Sequence, residues 1–391
     1  MISAASRRAA AALPVPTVVV DALVGPPLPR RAGFLTRFEA EVAGCDLALR
    51  RGTAEGGLRV VTEVEPIGAN FVEAAYVPGT TIFAGPYFSH FGHMVAEGIH
   101  RLWPALLPEM ADAGVTFVSN ARSSAMAPWT KDLLELYGIT PDRVRFNDRP
   151  TRYERLVVAP QGRGLATGIL LDDYLDLFPL QPVAGSPGRG RPVYLSRARQ
   201  TETGTYLGEP LIERVLAEAG FLILYPEAER IETVVRHLVL ARTVVVSEGS
   251  AIHNLELAGR ISGRVFLVGR RLGLKNFLPL LNASCAEWAM FRPGLEQFSL
   301  DRDSAGNESG TRVCTAVDLP RLVRELAAFT NLPLRMPEAD EVRRAVALDL
   351  ATYLLRPAAG AGVPAAELGK TLGRIRTMPG LREALGLNHA G

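Results

Sequence analysis

Hydrophobic residues recur along the chain with two spacings, which predicts strands and helices in alternation. Short runs rich in Val, Ile and Phe are typical of strands, and apolar residues every three or four positions are typical of helices. In the first half of the chain, strands are predicted in "TTIFAG", "GVTFVS", "RVRFND" and "ERLVVAP". Helices are predicted over residues 88–110 and in "WTKDLLELYG". This alternation is typical of an α/β protein.

The second half of the chain alternates more regularly. Strands are predicted in "PVYLSR", "FLILY", "TVVVS" and "RVFLV". The segments between them, "GEPLIERVLAEAG", "RIETVVRHLVLA" and "AIHNLELAG", have helical spacing. A helix between each pair of consecutive strands implies right-handed crossovers, so these four strands are expected to form a parallel sheet.

A Gly- and Pro-rich segment over residues 180–192 predicts a linker between the two halves. We therefore predict an α/β fold with two Rossmann-like lobes, over residues 1–183 and 184–335, whose parallel sheets face a cleft. Residues 336–391 have the pattern of two or three helices and are predicted to form a helical C-terminal appendage.

Composition narrows the choice of partners and compartment. Lys plus Arg number 43 and Asp plus Glu number 41, a balance that argues against nucleic acid as the main partner. Cys45, Cys285 and Cys314 are too few and too scattered for a disulfide framework or a zinc site. No apolar run reaches the ~18 residues of a membrane span, and the N-terminal segment lacks the apolar core of a signal peptide. We expect a cytoplasmic protein without a transmembrane segment.

The stretch "SEGSAIHN" follows an apolar strand and turns through glycine into a predicted helix. Free backbone N–H groups and the helix dipole at such a turn favour an anion. Arg197 and Glu248 each close a strand, so both should lie at the carboxyl edge of one sheet, where ligands bind. A diphosphate would suit Arg197, Gly249 and Ser250. Ribose hydroxyls or a base edge would suit Glu248 and Asn254.

A helix over residues 88–110 would carry polar side chains along one stripe. On a helical wheel that stripe contains His90, His93, Glu97, His100 and Arg101. A solvated helix face is one interpretation, and a metal site is another, although the spacing is not that of an HExxH motif. A third interpretation is an acid–base pair in which His93 is the general base and Glu97, at i+4, orients it. The reverse assignment, with Glu97 as the base, stays open.

Together these motifs resemble those of the family 61 glycosyltransferases, and the ordered match covers roughly residues 80–290. Relatives show a Gly-His step with an acidic residue one turn later, here Gly92, His93 and Glu97, with Met94 where Trp is usual. They then show a strand that ends in Ser-Arg, an acidic residue that opens the next helix, a Gly-Phe step and a final motif ending in Asn. In this chain the corresponding residues are Ser196, Arg197, Glu209, Gly220, Phe221, Glu248, Gly249, Ser250 and Asn254.

The resemblance implies a GT-B-like fold and inverting transfer from a nucleotide sugar, commonly UDP-linked, without an obligatory metal or other cofactor. Residues 1–183 would form the acceptor-side lobe and residues 184–335 the lobe that binds the nucleotide sugar. His90 and Glu209 would be further donor or acceptor contacts. The acceptor would be a saccharide or a lipid-linked saccharide in surface or capsular polysaccharide synthesis. A lipid-linked acceptor would hold the enzyme peripherally at the inner face of the membrane.

Three alternatives to an inverting, metal-independent glycosyltransferase remain open. Asp301 and Asp303 form a "DRD" triplet, the short signature of metal-dependent GT-A-type transferases. A non-catalytic sugar- or nucleotide-binding protein would carry the same binding residues without transfer. The stretch "GRGLATG", residues 162–168, is GxGxxxG rather than the dinucleotide-binding GxGxxG, so we expect a flexible loop over the cleft, with a dehydrogenase as the weakest alternative.

Overall fold

A computed structural model gives the protein a mixed α/β fold with two main sheets. The residues that it describes are 2–29, 36–42, 44–53, 57–68, 73–119, 126–166, 171–200, 204–271, 274–292, 296–301, 308–310, 312–355, 365–385 and 387. No helix in these ranges combines the length and the apolar character needed to cross a bilayer.

The first sheet has seven described strands in the order β5–β2–β1–β9–β6–β7–β8. These strands are β1 (Thr17–Pro27), β2 (Thr36–Glu41), β5 (Thr62–Glu65), β6 (Ala75–Tyr87), β7 (Gly114–Ser119), β8 (Val144–Phe146) and β9 (Thr151–Val158). A separate hairpin pairs β3 (Arg50–Gly52) with β4 (Leu58–Val60). Strands β9, β6, β7 and β8 are parallel, whereas β1 is antiparallel to both β9 and β2. The prediction of a parallel first sheet is therefore wrong on the β1 side. Only eight residues separate β1 from β2 in sequence, fewer than a parallel crossover needs.

The second sheet is parallel throughout its described strands, in the order β11–β10–β12–β13–β14, which confirms the prediction for this half. Its strands are β10 (Val193–Leu195), β11 (Leu222–Leu224), β12 (Thr243–Ser247), β13 (Ile261–Val268) and β14 (Cys285–Phe291). Strand β14 was not predicted, because its middle residues are partly or fully exposed and its sequence has no buried apolar run. A small two-stranded sheet pairs β15 (Gln297–Phe298) with β16 (Cys314–Thr315).

The described part of the chain contains eleven α-helices, which pack on both faces of the second sheet and on one face of the first. They are α1 (Ala4–Ala12), α2 (Phe91–His93), α3 (Pro128–Leu136), α4 (Glu209–Glu218), α5 (Ile231–Leu240), α6 (Asn254–Leu257), α7 (Leu278–Ser284), α8 (Leu319–Thr330), α9 (Ala339–Leu355), α10 (Ala365–Thr377) and α11 (Pro379–Ala384).

The single helix predicted over residues 88–110 is replaced by short turns. Helix α2 runs directly into a π turn, Met94–Gly98, which is followed by the 3₁₀ turns Trp103–Leu106 and Pro108–Met110. Each 3₁₀ turn has a proline at its start. A regular helix does not continue through these positions, because proline lacks the N–H that would donate to the preceding turn. The polar stripe expected on a regular helix is therefore broken after the π turn.

The apolar core is continuous between the two sheets. One cluster of buried side chains includes Ile82 and Phe117 on the first sheet and Val193 and Val244 on the second. It also includes Leu180, so the segment predicted as a linker begins inside the core.

A second cluster lies on the other face of the second sheet. It contains Leu322 of α8, Val346 and Tyr353 of α9, and Leu381 of α11. The helices predicted as an appendage therefore pack onto the second sheet. Boundaries at residues 183 and 335 remain predictions.

Candidate functional site

His93 and Glu97 form a hydrogen-bonded pair at the carboxyl end of β6. Nδ1 of His93 lies 2.8 Å from Oε2 of Glu97. The Glu97 side chain is fully buried, whereas that of His93 is 38% exposed. The π turn Met94–Gly98 contains Glu97, and such widened turns recur at functional sites. The pair predicted from the i+4 spacing is therefore formed, with the histidine facing outward.

Arg51, from strand β3, completes this group and was not predicted from the sequence. Its Nε and Nη2 donate to the two carboxylate oxygens of Glu97. Burial alone would raise the pKa of Glu97, but hydrogen bonds from Arg51 and His93 lower it below its ordinary value. Nδ1 of His93 also lies 3.1 Å from Nη2 of Arg51. The tautomer with its hydrogen on Nδ1 donates to Glu97 and leaves the lone pair on Nε2.

Arg197 lies at the carboxyl edge of the second sheet, against the glycine of "SEGSAIHN". A Cβ atom at Gly249 would stand 2.0 Å from Nη1 of Arg197, so only glycine leaves room for the guanidinium. Nη2 of Arg197 donates to the carbonyl of Gly204 at 3.1 Å, and the residue is 7% exposed. Arg197 and Gly249 are thus brought together as the topology predicted.

Arg270 and Arg271 follow β13 at the same edge and enlarge this positive group. The charge of Arg271 acts on Arg197, and that of Arg197 acts on Arg270. Burial and the neighbouring arginines lower the pKa of Arg270 to about 9. Both residues could have been predicted, because they close a parallel strand as Arg197 does.

Glu248 holds this arginine turn. One of its oxygens accepts the backbone N–H groups of Arg270 and Arg271 at 2.6 and 2.7 Å, and the other accepts Nε of Arg271. Glu248 is fully buried. Asn254 is also buried, and its Nδ2 donates to the carbonyl of Ala251 at 2.9 Å. Both side chains hold turns in the chain, and their expected contacts with ribose or base stay predictions.

Glu209 is likewise an internal residue. It opens α4, as expected, and is fully buried. Its Oε1 accepts from the hydroxyls of Tyr194 and Ser247 at 2.8 and 2.6 Å, and from the backbone N–H of Arg197 at 2.8 Å. Burial raises its pKa, and these hydrogen bonds act in the opposite direction. Glu209 therefore holds the backbone of Arg197, and its expected contact with the donor or acceptor stays a prediction.

The two groups of residues meet at His90 and Ser250. Nε2 of His90 lies 3.3 Å from Oγ of Ser250. A Cβ atom at Gly92 would stand 3.2–3.3 Å from His253, His90 and Ser250, so glycine allows this close approach. The His90 and His93 rings are 5.3 Å apart. Burial, with the charges of His93 and Arg197, lowers the pKa of His90, which favours its neutral form.

The helix expected to begin at "SEGSAIHN" is two short pieces. A 3₁₀ turn, Ser250–His253, leads into α6, and each has four residues. Gly249 is the cap residue of this turn and offers no side chain to bind its free N–H groups. So short a helix has a small dipole, so the expected role of the helix N-terminus as the anion site is not supported. Arg197, Arg270 and Arg271 supply the positive charge at this edge instead.

Behind the candidate site lies a buried charged cluster. Glu256 of α6 accepts Nη1 of Arg163 at 3.1 Å and faces Nε2 of His100 at 3.2 Å. Burial raises the pKa of Glu256 to about 7. His100 is therefore an internal residue rather than part of a surface stripe. Arg163 belongs to "GRGLATG", whose residues 162–164 are buried, so the expected flexible loop is wrong for this part; residues 167 and 168 lie outside the described ranges.

The arrangement of side chains does not support the remaining metal hypotheses. In the described part of the chain, no group of three or more His, Cys, Asp or Glu side chains is arranged to hold a metal ion. The carboxylate of Glu97 is occupied by Arg51. Asp301 is 3% exposed and faces Nη1 of Arg312 at 3.8 Å, and Asp303 lies outside the described residues.

A cavity of about 310 Å³ lies elsewhere, at the outer strands of the first sheet. Its lining is Ala40, Val42, Cys45, Asp46, Leu47, Ala48, Val60, Thr62 and Val64. None of the residues of the candidate site lines it.

Compared with known proteins, the chain matches no family model and no curated protein sequence. Its resemblance to the family 61 glycosyltransferases therefore rests on the order of its own motifs.

Proposed function

We propose that the protein is an inverting glycosyltransferase that moves a sugar from a nucleotide-sugar donor, commonly UDP-linked in the family it resembles, to a saccharide acceptor. The observation that carries the proposal is the contact between His90 and Ser250. It joins a histidine–carboxylate pair at the end of β6 to an arginine group at the carboxyl edge of the second sheet. A GT-B-like arrangement of two lobes around a cleft would use this junction as the reaction site.

The arginine group favours a diphosphate. Arg197, Arg270 and Arg271 are close enough to act on one another at one edge of the second sheet, where Glu248 also faces them. Planar guanidinium groups match phosphate oxygens in pairs. In the proposal Arg197 and Arg271 stabilise the negative charge of the leaving nucleoside diphosphate.

The His93–Glu97 pair favours proton transfer from an acceptor hydroxyl. Nε2 of His93 takes the proton while the hydroxyl oxygen attacks the anomeric carbon, and the bond from that carbon to the phosphate oxygen breaks on the opposite side. Glu97 holds Nδ1 and stabilises the imidazolium that forms. One such displacement inverts the anomeric centre.

A nucleotide screen tests the donor assignment. Thermal denaturation is measured with UDP, GDP, CMP and dTDP, with and without EDTA. A ligand at 100 times its dissociation constant stabilises by ~2.7 kcal/mol, which such a screen detects. The proposal expects stabilisation by at least one diphosphate without added metal, and no stabilisation by any of the four would contradict it. Stabilisation that disappears with EDTA would favour a metal-dependent transferase.

A further inference from the structure

Arg51 balances a charge that would otherwise be unfavourable. The Glu97 side chain is fully buried and that of Arg51 is 12% exposed. A buried carboxylate without a partner costs several kcal/mol, and it then takes up a proton or draws one onto a neighbour. Arg51 binds both oxygens of Glu97, and its Nη2 lies 3.1 Å from Nδ1 of His93. The charge of Glu97 is therefore balanced by the guanidinium group of Arg51.

The backbone around Arg51 is fixed in place. The side-chain amide of Gln161 accepts from the N–H of Arg50 at 2.9 Å and donates to its carbonyl at 3.0 Å. Gly52 donates to the carbonyl of Leu165 at 3.0 Å. A Cβ atom at Gly164 would stand 2.2 Å from the carbonyl oxygen of Arg50, so β3 packs directly on this segment.

The other charged or titratable groups that face the pair do not replace Arg51. His90 lies 5.3 Å from His93, ring to ring, and its pKa is lowered by burial and neighbouring charge. Burial lowers the pKa of His253 to about 3. Both are neutral near neutral pH. The charge of Arg197 acts on His90. In the described part of the chain, Arg51 is the permanent cation that contacts the pair.

We propose that Arg51 is a positioning residue that prevents the His93–Glu97 pair from holding an extra proton. Nε2 of His93 can then accept a proton in neutral solution. Without Arg51, the buried carboxylate would be balanced by a proton held on the pair. That proton would leave only at higher pH. The consequence for transfer rests on the proposed function, whereas the protonation state of the pair does not.

The test compares Arg51→Met with Arg51→Lys and with Arg50→Met. Arg50 lies on the same strand, but its side chain pairs with Asp46 near the surface, so it is the matched control. Ring-nitrogen NMR of His93 at about pH 7 reports how many of its nitrogens carry a proton, and transfer rates are measured from about pH 6 to 9.

In Arg51→Met we expect a proton on the pair, and a loss of transfer of about 10²-fold near pH 7 that shrinks as the pH rises. Arg51→Lys should restore part of the rate, and Arg50→Met should match wild type. A wild-type protonation pattern in folded Arg51→Met, or a loss equal at every pH, would overturn the inference. If Arg51→Met takes up the proton but the wild-type protein transfers no sugar, the inference stands and the proposed function is rejected.

Discussion

Arg197 lies so close to Gly249 that a Cβ atom at position 249 would be 2.0 Å from Nη1 of Arg197. Gly249 has an extended backbone conformation that any residue can adopt, so the requirement for glycine comes from space alone. A side chain at this position must displace the guanidinium.

We therefore expect Gly249→Ala and Arg197→Ala to weaken nucleoside diphosphate binding in the same way. A charge-assisted contact to phosphate contributes about 1.5–3 kcal/mol, so each dissociation constant should rise by about 10- to 150-fold. Isothermal titration calorimetry measures it. Gly373→Ala is the control, because a Cβ there meets nothing within 4 Å. Unchanged affinity in Arg197→Ala would show that Arg197 does not bind phosphate.

His93 and Glu97 should differ in kinetics. As the base, His93 contributes about 10²–10⁴-fold to transfer, and His93→Ala should lose that factor while nucleotide binding survives. Glu97→Gln should cost less and change the pH profile, because the amide cannot balance an imidazolium. Steady-state rates measured with one donor and one acceptor distinguish the two assignments of the base. An inactive Glu97→Gln beside a merely slow His93→Ala would make Glu97 the base.

Glu209 should matter for stability more than for binding. Removing its carboxylate leaves the buried donors of Tyr194, Ser247 and Arg197 without their acceptor. We expect Glu209→Ala to lower the free energy of unfolding by about 3–5 kcal/mol in urea denaturation. Glu218→Ala, on the same helix but in an exposed pair with Arg335, should cost less than about 1 kcal/mol. A stable Glu209→Ala that fails to bind nucleotide would instead assign Glu209 to the ligand.

Acid should destabilise the protein partly through His253. Burial lowers its pKa from 6.5 to about 3 in the folded state. Between those values the unfolded chain binds the proton and the folded chain does not, so this contribution to stability is present above about pH 6.5 and is lost as the pH falls towards 3. His253→Gln should reduce the slope of unfolding free energy against pH near pH 5 by about 1.4 kcal/mol per pH unit.

The control for that slope is His237→Gln, at a half-buried position on α5. Its pKa is lowered as well, mainly by burial, so the substitution should change the slope in the same direction but less. Parallel stability curves for wild type and His253→Gln would contradict the account of His253.

The second sheet could be predicted because each strand and the helix after it carry their own local pattern. Strands β10, β12 and β13 pair in register, with Val245 between Tyr194 and Phe266. The first sheet depends on information that is distant in sequence. Strand β1 pairs antiparallel with β9, as in the pairing of Val19 with Leu156, and no local spacing indicates that partner.

The candidate site divides in the same way. The spacing of His93 and Glu97 is local, and the predicted contact is present at 2.8 Å. Arg51 lies 46 residues before Glu97 on a short hairpin and carries no local signal of its role. The prediction for His100 failed because a regular helix was assumed beyond Gly98, where the chain changes to short turns.

The central claim is most directly tested by measuring nucleoside diphosphate release from a panel of nucleotide sugars, with EDTA present, against a panel of saccharide acceptors. Donor affinity is measured in the same samples. The account predicts that at least one donor binds and that its diphosphate is released when an acceptor is added, with the anomeric configuration of the product inverted. Donor binding without release for any acceptor would contradict the account and identify a binding protein.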